Sequence, residues 1–170
     1  YYLTPSYNTA EPGESEALDV LMKIVGDGGT SRLYKKLVVE NKVAASASGD
    51  YSGHGLDSGQ ISIFAVAADG VPLPKIEAMA DEVLADVAKN GVTPQELQRA
   101  KNAFIAEYVY QSDNQAILAR AYGWALVVGR TIEDVESWPQ RIAKVSADDV
   151  KKVAAKYLDI RQSVTGYMTP

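Results

Sequence analysis

The sequence predicts an α+β domain with helices layered on one face of a mainly antiparallel sheet, and three observations carry that reading. Apolar residues recur at helical spacing over most of the chain and alternate at strand spacing in only a few short runs. The order of these segments is strand, two helices, two strands, several helices, final strand, whereas a doubly wound parallel fold needs regular alternation. With 170 residues and 46% hydrophobic content, the chain can bury one sizeable core and most simply forms a single domain over residues 1–170.

Tyr1 to Asn8 reads as a short strand ending before Pro12-Gly13. Glu14 to Val25 follows as an amphipathic helix: Leu18, Leu21, Met22 and Val25 recur at its spacing, and Glu14 and Glu16 sit in the first turn, where the helix dipole favours acids. In the glycine-rich break Gly26-Asp27-Gly28-Gly29, Gly28 and Gly29 stop that helix and Thr30 or Ser31 caps the next, which runs to about Glu40. Val43 to Tyr51, a run of small residues, is read as a strand because a turn-like segment and a clearer strand, Gln60 to Ala68, come after it. Joined by Gly53-His54-Gly55-Leu56-Asp57-Ser58, the two make an antiparallel hairpin with a loose loop, and the small residues of the first let something bulky pack close.

From Pro74 to Asn90 a continuous apolar stripe (Ile76, Met79, Ala80, Val83, Leu84, Val87) predicts a helix stopped by Gly91. Thr93-Pro94-Gln95-Glu96 supplies an N-cap, a proline at the first helical position and a capping-box glutamate, opening a helix to about Gln111. Ser112-Asp113-Asn114 interrupts, and Ala116 to Val128 forms another helix ending at Gly129. Thr131-Ile132-Glu133-Asp134 opens a shorter helix carrying Trp138, Ser146-Ala147-Asp148-Asp149 caps one more to about Leu158, and Gln162 to Met168 alternates like a final strand.

Charge and composition exclude several functions. A net charge of −5 and a pI near 4.9 leave no basic excess to neutralise phosphates, which argues against nucleic acid and anionic membranes as partners. No apolar run approaches the roughly 20 residues of a membrane span, and the first residues lack the basic-then-apolar pattern of a signal peptide, so a soluble cytoplasmic or periplasmic domain is expected. A start at Tyr1 without Met points to a fragment of a longer product. The absence of Cys removes disulfides and thiolate chemistry, and a single histidine, His54, excludes any two-histidine metal motif within this chain.

Four groups of residues invite a functional reading beside a structural one. Arg32 and Tyr34 are candidates for substrate or inter-domain contact, or else a surface arginine and a packed tyrosine. Asp50, His54 and Asp57 form the one grouping able to offer a metal an imidazole and two carboxylates, although loops carry such residues for solvation alone. Gly26 to Gly29 lacks the Gly-Lys-Ser/Thr ending of a phosphate loop and follows a helix, so helix termination accounts for it. Tyr108, Tyr110, Tyr122, Trp124 and Trp138 suit a peptide-binding wall, but aromatics in apolar helices more often belong to a core.

Taken in order, the helix 14–25, the break with Ser31-Arg32-Leu33-Tyr34, the Leu37-Val38-Val39-Glu40 stretch into a small-residue strand, the Thr93-Pro94-Gln95-Glu96-Leu97 start and the Val145-Ser146-Ala147-Asp148-Asp149-Val150 start carry a resemblance. Over nearly the whole chain, the sequence resembles the C-terminal domain of the pitrilysin/insulinase family of zinc metallopeptidases, which includes the mitochondrial processing peptidases. The resemblance implies an α/β roll, two of which form one half of a clamshell, with two halves enclosing a peptide chamber. It implies a zinc site of His-x-x-Glu-His plus a downstream glutamate in the N-terminal domain, outside this chain, which contains neither motif.

Family members whose second half holds the substrate place an arginine and, seven residues later, a tyrosine at the helix-to-strand junction; here the aligned residues are Val38 and Ala45. The resemblance therefore implies a domain of the zinc-bearing half, partnered by an N-terminal zinc-bearing domain, a second clamshell half or dimer partner, and unfolded peptide. The leading expectation is a non-catalytic domain of a zinc-dependent metalloendopeptidase with no cofactor of its own. The alternatives are an inactive family member acting as a binding or assembly subunit, and an independent metal hydrolase using His54.

Overall fold

The structure is a computed structural model that describes residues 1–169. Strands β1 (Tyr2–Pro5), β2 (Ala44–Ser52) and β3 (Ser58–Ala67) form an antiparallel sheet in the order β1-β3-β2. The hairpin register sets Gly49 opposite Ile63 and Tyr51 opposite Ile61, with an irregularity between Ala44 and Ser46 that places Ala45 at a bulge. Helix α1 (Glu14–Val25) packs against β2, and α3 (Leu73–Asn90) and α8 (Ala147–Tyr157) flank one another beside it. The α+β reading, with helices layered on an antiparallel sheet, describes the molecule.

The core lies around α1. Leu18, Leu21, Val25, Leu33, Leu37 and Ile61 are fully buried together, each worth roughly 1.5–3 kcal/mol for leaving water. The small residues of β2 admit a helix backbone: a Cβ on Gly26, which caps α1, would stand 2.4 Å from the carbonyl oxygen of Gly49. Across that contact the Gly49 N–H donates to the Gly26 carbonyl at 3.1 Å, so the first glycine of the break joins helix end to sheet. On the opposite sheet face Leu3, Phe64 and Val66 are exposed.

After Ser31, whose hydroxyl accepts from the Tyr34 N–H, a single turn α2 (Arg32–Tyr34) widens into a π-helix over Lys35–Glu40. The wider turn, which apolar spacing does not reveal, ends with the Val43 N–H on the Leu37 carbonyl and delivers the chain into β2.

A second group of helices, α4 (Pro94–Ser112), α5 (Gln115–Val127), α6 (Ile132–Glu136) and α7 (Trp138–Lys144), leans on α1 through α4 and α7. The predicted capping residues are in place: Thr93 and Glu96 cap one another at α4, Thr131 and Asp134 at α6, and Ser146 and Asp149 at α8.

Two expectations need correction. The helix expected to run from Thr131 through Trp138 is broken at Ser137, because Pro139 has no N–H to continue it and instead starts α7. The expected final strand is a 3₁₀ turn, Ile160–Gln162, then an extended tail that touches β1 through one bridge, Tyr2 to Ser163, and paired bonds between Tyr1 and Val164. Val164 and Met168 are exposed, so the alternating tail has no apolar face to bury against the sheet.

Candidate functional site

A cleft of about 560 Å³ opens between α4, α5 and α6, within the size range of small-ligand and peptide-side-chain sites. Its walls are apolar: Phe104 and Tyr108 from α4, Ile117, Leu118 and Trp124 from α5, and Val135 from α6. Both tryptophans of the chain, Trp124 and Trp138, line it.

The floor is polar and tightly connected. Tyr7 donates its hydroxyl hydrogen to Asp19 Oδ2, and the Trp138 indole N–H donates to the Tyr7 oxygen at 2.7 Å and lies 3.4 Å from the same carboxylate oxygen. Burial pushes the Asp19 carboxyl up to about 7, against the lowering effect of these two hydrogen bonds. The Tyr7 hydroxyl is also raised, first by burial and then by the charge of Asp19. This chain of donors ties the segment after β1 to α1 and α7 at the bottom of the cleft.

Above it, the His54 ring stacks on Tyr7 with centroids 5.3 Å apart and planes 4° from parallel. The Arg130 guanidinium lies 4.4 Å from the Tyr7 ring centroid and sets one terminal nitrogen 3.5 Å from His54 Nδ1. Burial, then the neighbouring Arg130 charge, lower the His54 pKa, which disfavours a second cation beside Arg130. The Trp124 indole N–H donates to the His54 carbonyl at 2.8 Å, and Asn8 reaches the Gly55, Leu56 and Val128 carbonyls, fastening the hairpin loop to α5.

Of the grouping Asp50, His54 and Asp57, His54 alone belongs to this cleft. Asp50 is exposed on β2 and Asp57 is exposed in the loop, where its carbonyl accepts from Thr9. Among the described residues no three His, Asp or Glu side chains converge as a metal site requires, and His54 faces a cation. The donor set does not fit zinc.

Arg32, a candidate for substrate or inter-domain contact or else a surface arginine, forms a clamp within the domain. Its Nε and one terminal nitrogen bond the two Glu96 oxygens at 2.8 Å each, its other terminal nitrogen bonds Asp86 at 2.9 Å, and the Gly91 carbonyl takes a further bond. Tyr34 is half-buried beside Gly29, one turn from that clamp. Val38 is partly buried against the core and Ala45 stands at the bulge of β2, and neither side chain can hydrogen-bond a peptide.

Three of the five aromatic residues considered for a peptide wall, Tyr108, Trp124 and Trp138, line the cleft, and Trp124 is 57% exposed where a core role was favoured. Sequence reasoning missed Tyr7, Asp19 and Arg130. Tyr7 and Asp19 are twelve residues apart and Arg130 lies far down the chain, so only the fold brings them together.

Residues 1–104 match the Peptidase M16 inactive domain family, more than half of the chain. The chain belongs to that family. This peptidase inactive domain is 26% identical over 157 residues to a Helicobacter pylori protein named Zinc protease PqqE, a match covering 91% of the chain. The chain spans about a third of that relative's length, 34%. Its fold is that of an inactive peptidase domain from Bordetella parapertussis (TM-score 0.85, 20% identity, 98% of this chain and 88% of that one). It is also that of part of a Helicobacter pylori protease (TM-score 0.84, 20% identity, 95% of this chain and 38% of that one). The resemblance to the zinc-less domain of a metallopeptidase holds, and no helix of the described residues is long and apolar enough to cross a membrane.

Proposed function

We propose that this domain is the non-catalytic part of a longer zinc-dependent endopeptidase, supplying wall and packing surface to the space in which peptides are cleaved. The observation that carries the reading is the combination of an inactive-domain family match over residues 1–104 with a donor set that does not fit zinc: one histidine, engaged with Tyr7 and Arg130, and no convergent carboxylates among the described residues. The metal and the general base of a zinc peptidase, which activate a water for attack on the peptide carbonyl, would then lie in a separate N-terminal domain. This chain's contribution is shape and exclusion, admitting unfolded peptide and refusing large folded proteins.

The absence of a hydrogen-bonding side chain at Val38 and Ala45 supports placing the domain in the metal-bearing half, with a second half or partner subunit completing the enclosure. The test is to express the whole reading frame that encodes this chain and measure bound zinc and chelator-sensitive cleavage of an unfolded peptide. Zinc and cleavage in the longer protein, with neither in the 170-residue chain, support the reading. A longer protein with neither overturns it in favour of a binding or assembly subunit.

A further inference from the structure

Arg130 differs from the other partly buried arginines of the molecule. Arg32 holds Glu96 and Asp86, and Arg141 holds Glu16 at 2.5 Å, whereas Arg130, half-buried against Tyr7, has no carboxylate within 4.0 Å among the described residues. The acids that share its cleft are committed elsewhere: Asp134 to the Thr131 cap, Glu107 to Lys23, and Asp19 to Tyr7 and Trp138. One terminal nitrogen faces His54, Asp19 and Asp134 lie near enough to feel the guanidinium charge, and its remaining N–H groups have no hydrogen-bond partner among the described residues.

A half-buried guanidinium at the end of an apolar, aromatic-walled groove is matched by an anion attached to an apolar body. Arg120, exposed at the rim and without an acidic partner among the described residues, adds a second positive charge along the same groove. We propose that the cleft binds an apolar peptide segment by its carboxylate, with Arg130 taking the charge and Tyr108, Ile117 and Trp124 covering the neighbouring side chains. The inference rests on the domain's role in handling peptides, and adds to it a binding site within this chain. A C-terminal carboxylate and an Asp or Glu side chain offer the same group, and the experiment separates them.

Because Trp124 and Trp138 are the two tryptophans of the chain and both line the cleft, intrinsic fluorescence reads its occupancy. The probes are N-acetyl-Ala-Leu-Phe with a free carboxylate, its C-terminal amide, and the amidated N-acetyl-Ala-Leu-Phe-Glu. The free acid, the glutamyl peptide or both should bind saturably at least about tenfold more tightly than the neutral amide; a response to the free acid alone identifies a C-terminal group, and one to the glutamyl peptide alone a side chain. Arg130→Gln should reduce the charged probes to the level of the amide, Arg130→Lys should retain part of the preference, and Arg99→Gln, on the far part of α4 outside the cleft, should leave it intact.

Equal affinity for the charged and neutral probes, a preference that survives Arg130→Gln, or no saturable change in a chain shown folded by circular dichroism would overturn the proposal. None of these outcomes touches zinc content or cleavage by the longer protein, so the failure of this site and the failure of the domain reading are separate results.

Discussion

The domain contains two regions built from similar helices but packed differently. In the body, formed by the sheet with α1, α3 and α8, long apolar side chains are fully enclosed: Leu18, Leu21, Val87 and Val150 are at 0% exposure. In the arm, α4 to α7, the helices bury little beyond Ala100, Ala125 and Ile142, and leave Tyr110, Trp124 and Val127 in solvent. The body has closed the helix-facing side of its sheet, leaving Leu3, Phe64 and Val66 exposed on the other; the arm has kept a groove open above a polar floor. Apolar surface left uncovered in a folded domain marks binding more often than failure to pack.

The largest expected effect separates the regions by truncation. Leu21→Ala in the body should cost about 3 kcal/mol, since the enclosing helices cannot collapse into the cavity, whereas Leu118→Ala on the cleft wall should cost under about 1 kcal/mol. Urea denaturation midpoints of the two variants measure the gap. Equal losses would show that the arm is as tightly closed as the body.

Glycine substitutions sharpen the same contrast with opposite signs. Gly26→Ala drives a Cβ to 2.4 Å from a backbone oxygen of β2 that cannot move without shearing the sheet, an overpacking cost of about 2 kcal/mol. Gly123 lies inside α5 with nothing within 4 Å of a built Cβ, so Gly123→Ala should gain about 0.5–1 kcal/mol from helix propensity. Thermal melts of the pair, one lowered and one raised, are the expected result; a loss at Gly123 would mean that the open side of α5 is in contact with something.

These residues also show what was legible before the structure. The break at Gly26 to Gly29 was readable as a helix end, but the need for Gly26 itself comes from Gly49, which no local pattern connects to it. Caps and stripes are local, so Thr93, Ser146 and the apolar faces of α1 and α3 were readable with their neighbours alone. The break at Ser137 was missed because the capping signal at Thr131 was extended through Trp138 without weighing Pro139. The cleft was half legible: its aromatics and His54 stood out, but Tyr7, Asp19 and Arg130 have ordinary surroundings in sequence and acquire their roles from long-range contact.

At the junction between body and arm, Arg32 joins α2 to the start of α4. Arg32→Ala should cost about 2 kcal/mol, because it removes charged hydrogen bonds from a partly buried Glu96 and frees the α3–α4 turn. Arg32→Lys keeps the charge but not the fork and should recover only part of the loss. Recovery in full, read from denaturation midpoints, would reduce the clamp to a point charge.

Glu96 on α4 and Asp19 on α1 differ in their response to pH. Glu96 falls to about 2 because Arg32 hydrogen-bonds its ionised form, so its contribution is complete above the ordinary 4.5 and is lost as pH drops from 4.5 to about 2. Asp19 runs the other way. Burial raises it from 3.8 to about 7, so the folded chain holds a proton that the unfolded chain has released, and this contribution is complete below 3.8 and lost as pH rises to about 7. Relative to Glu96→Gln, the wild type should therefore weaken on acidification below 4.5; relative to Asp19→Asn, it should strengthen between about 7 and 3.8. Denaturation midpoints measured through both windows test the two signs independently. An Asp19→Asn variant whose stability follows the wild type across its window would mean that the face of α1 beneath the cleft is solvated well enough to keep Asp19 ionised.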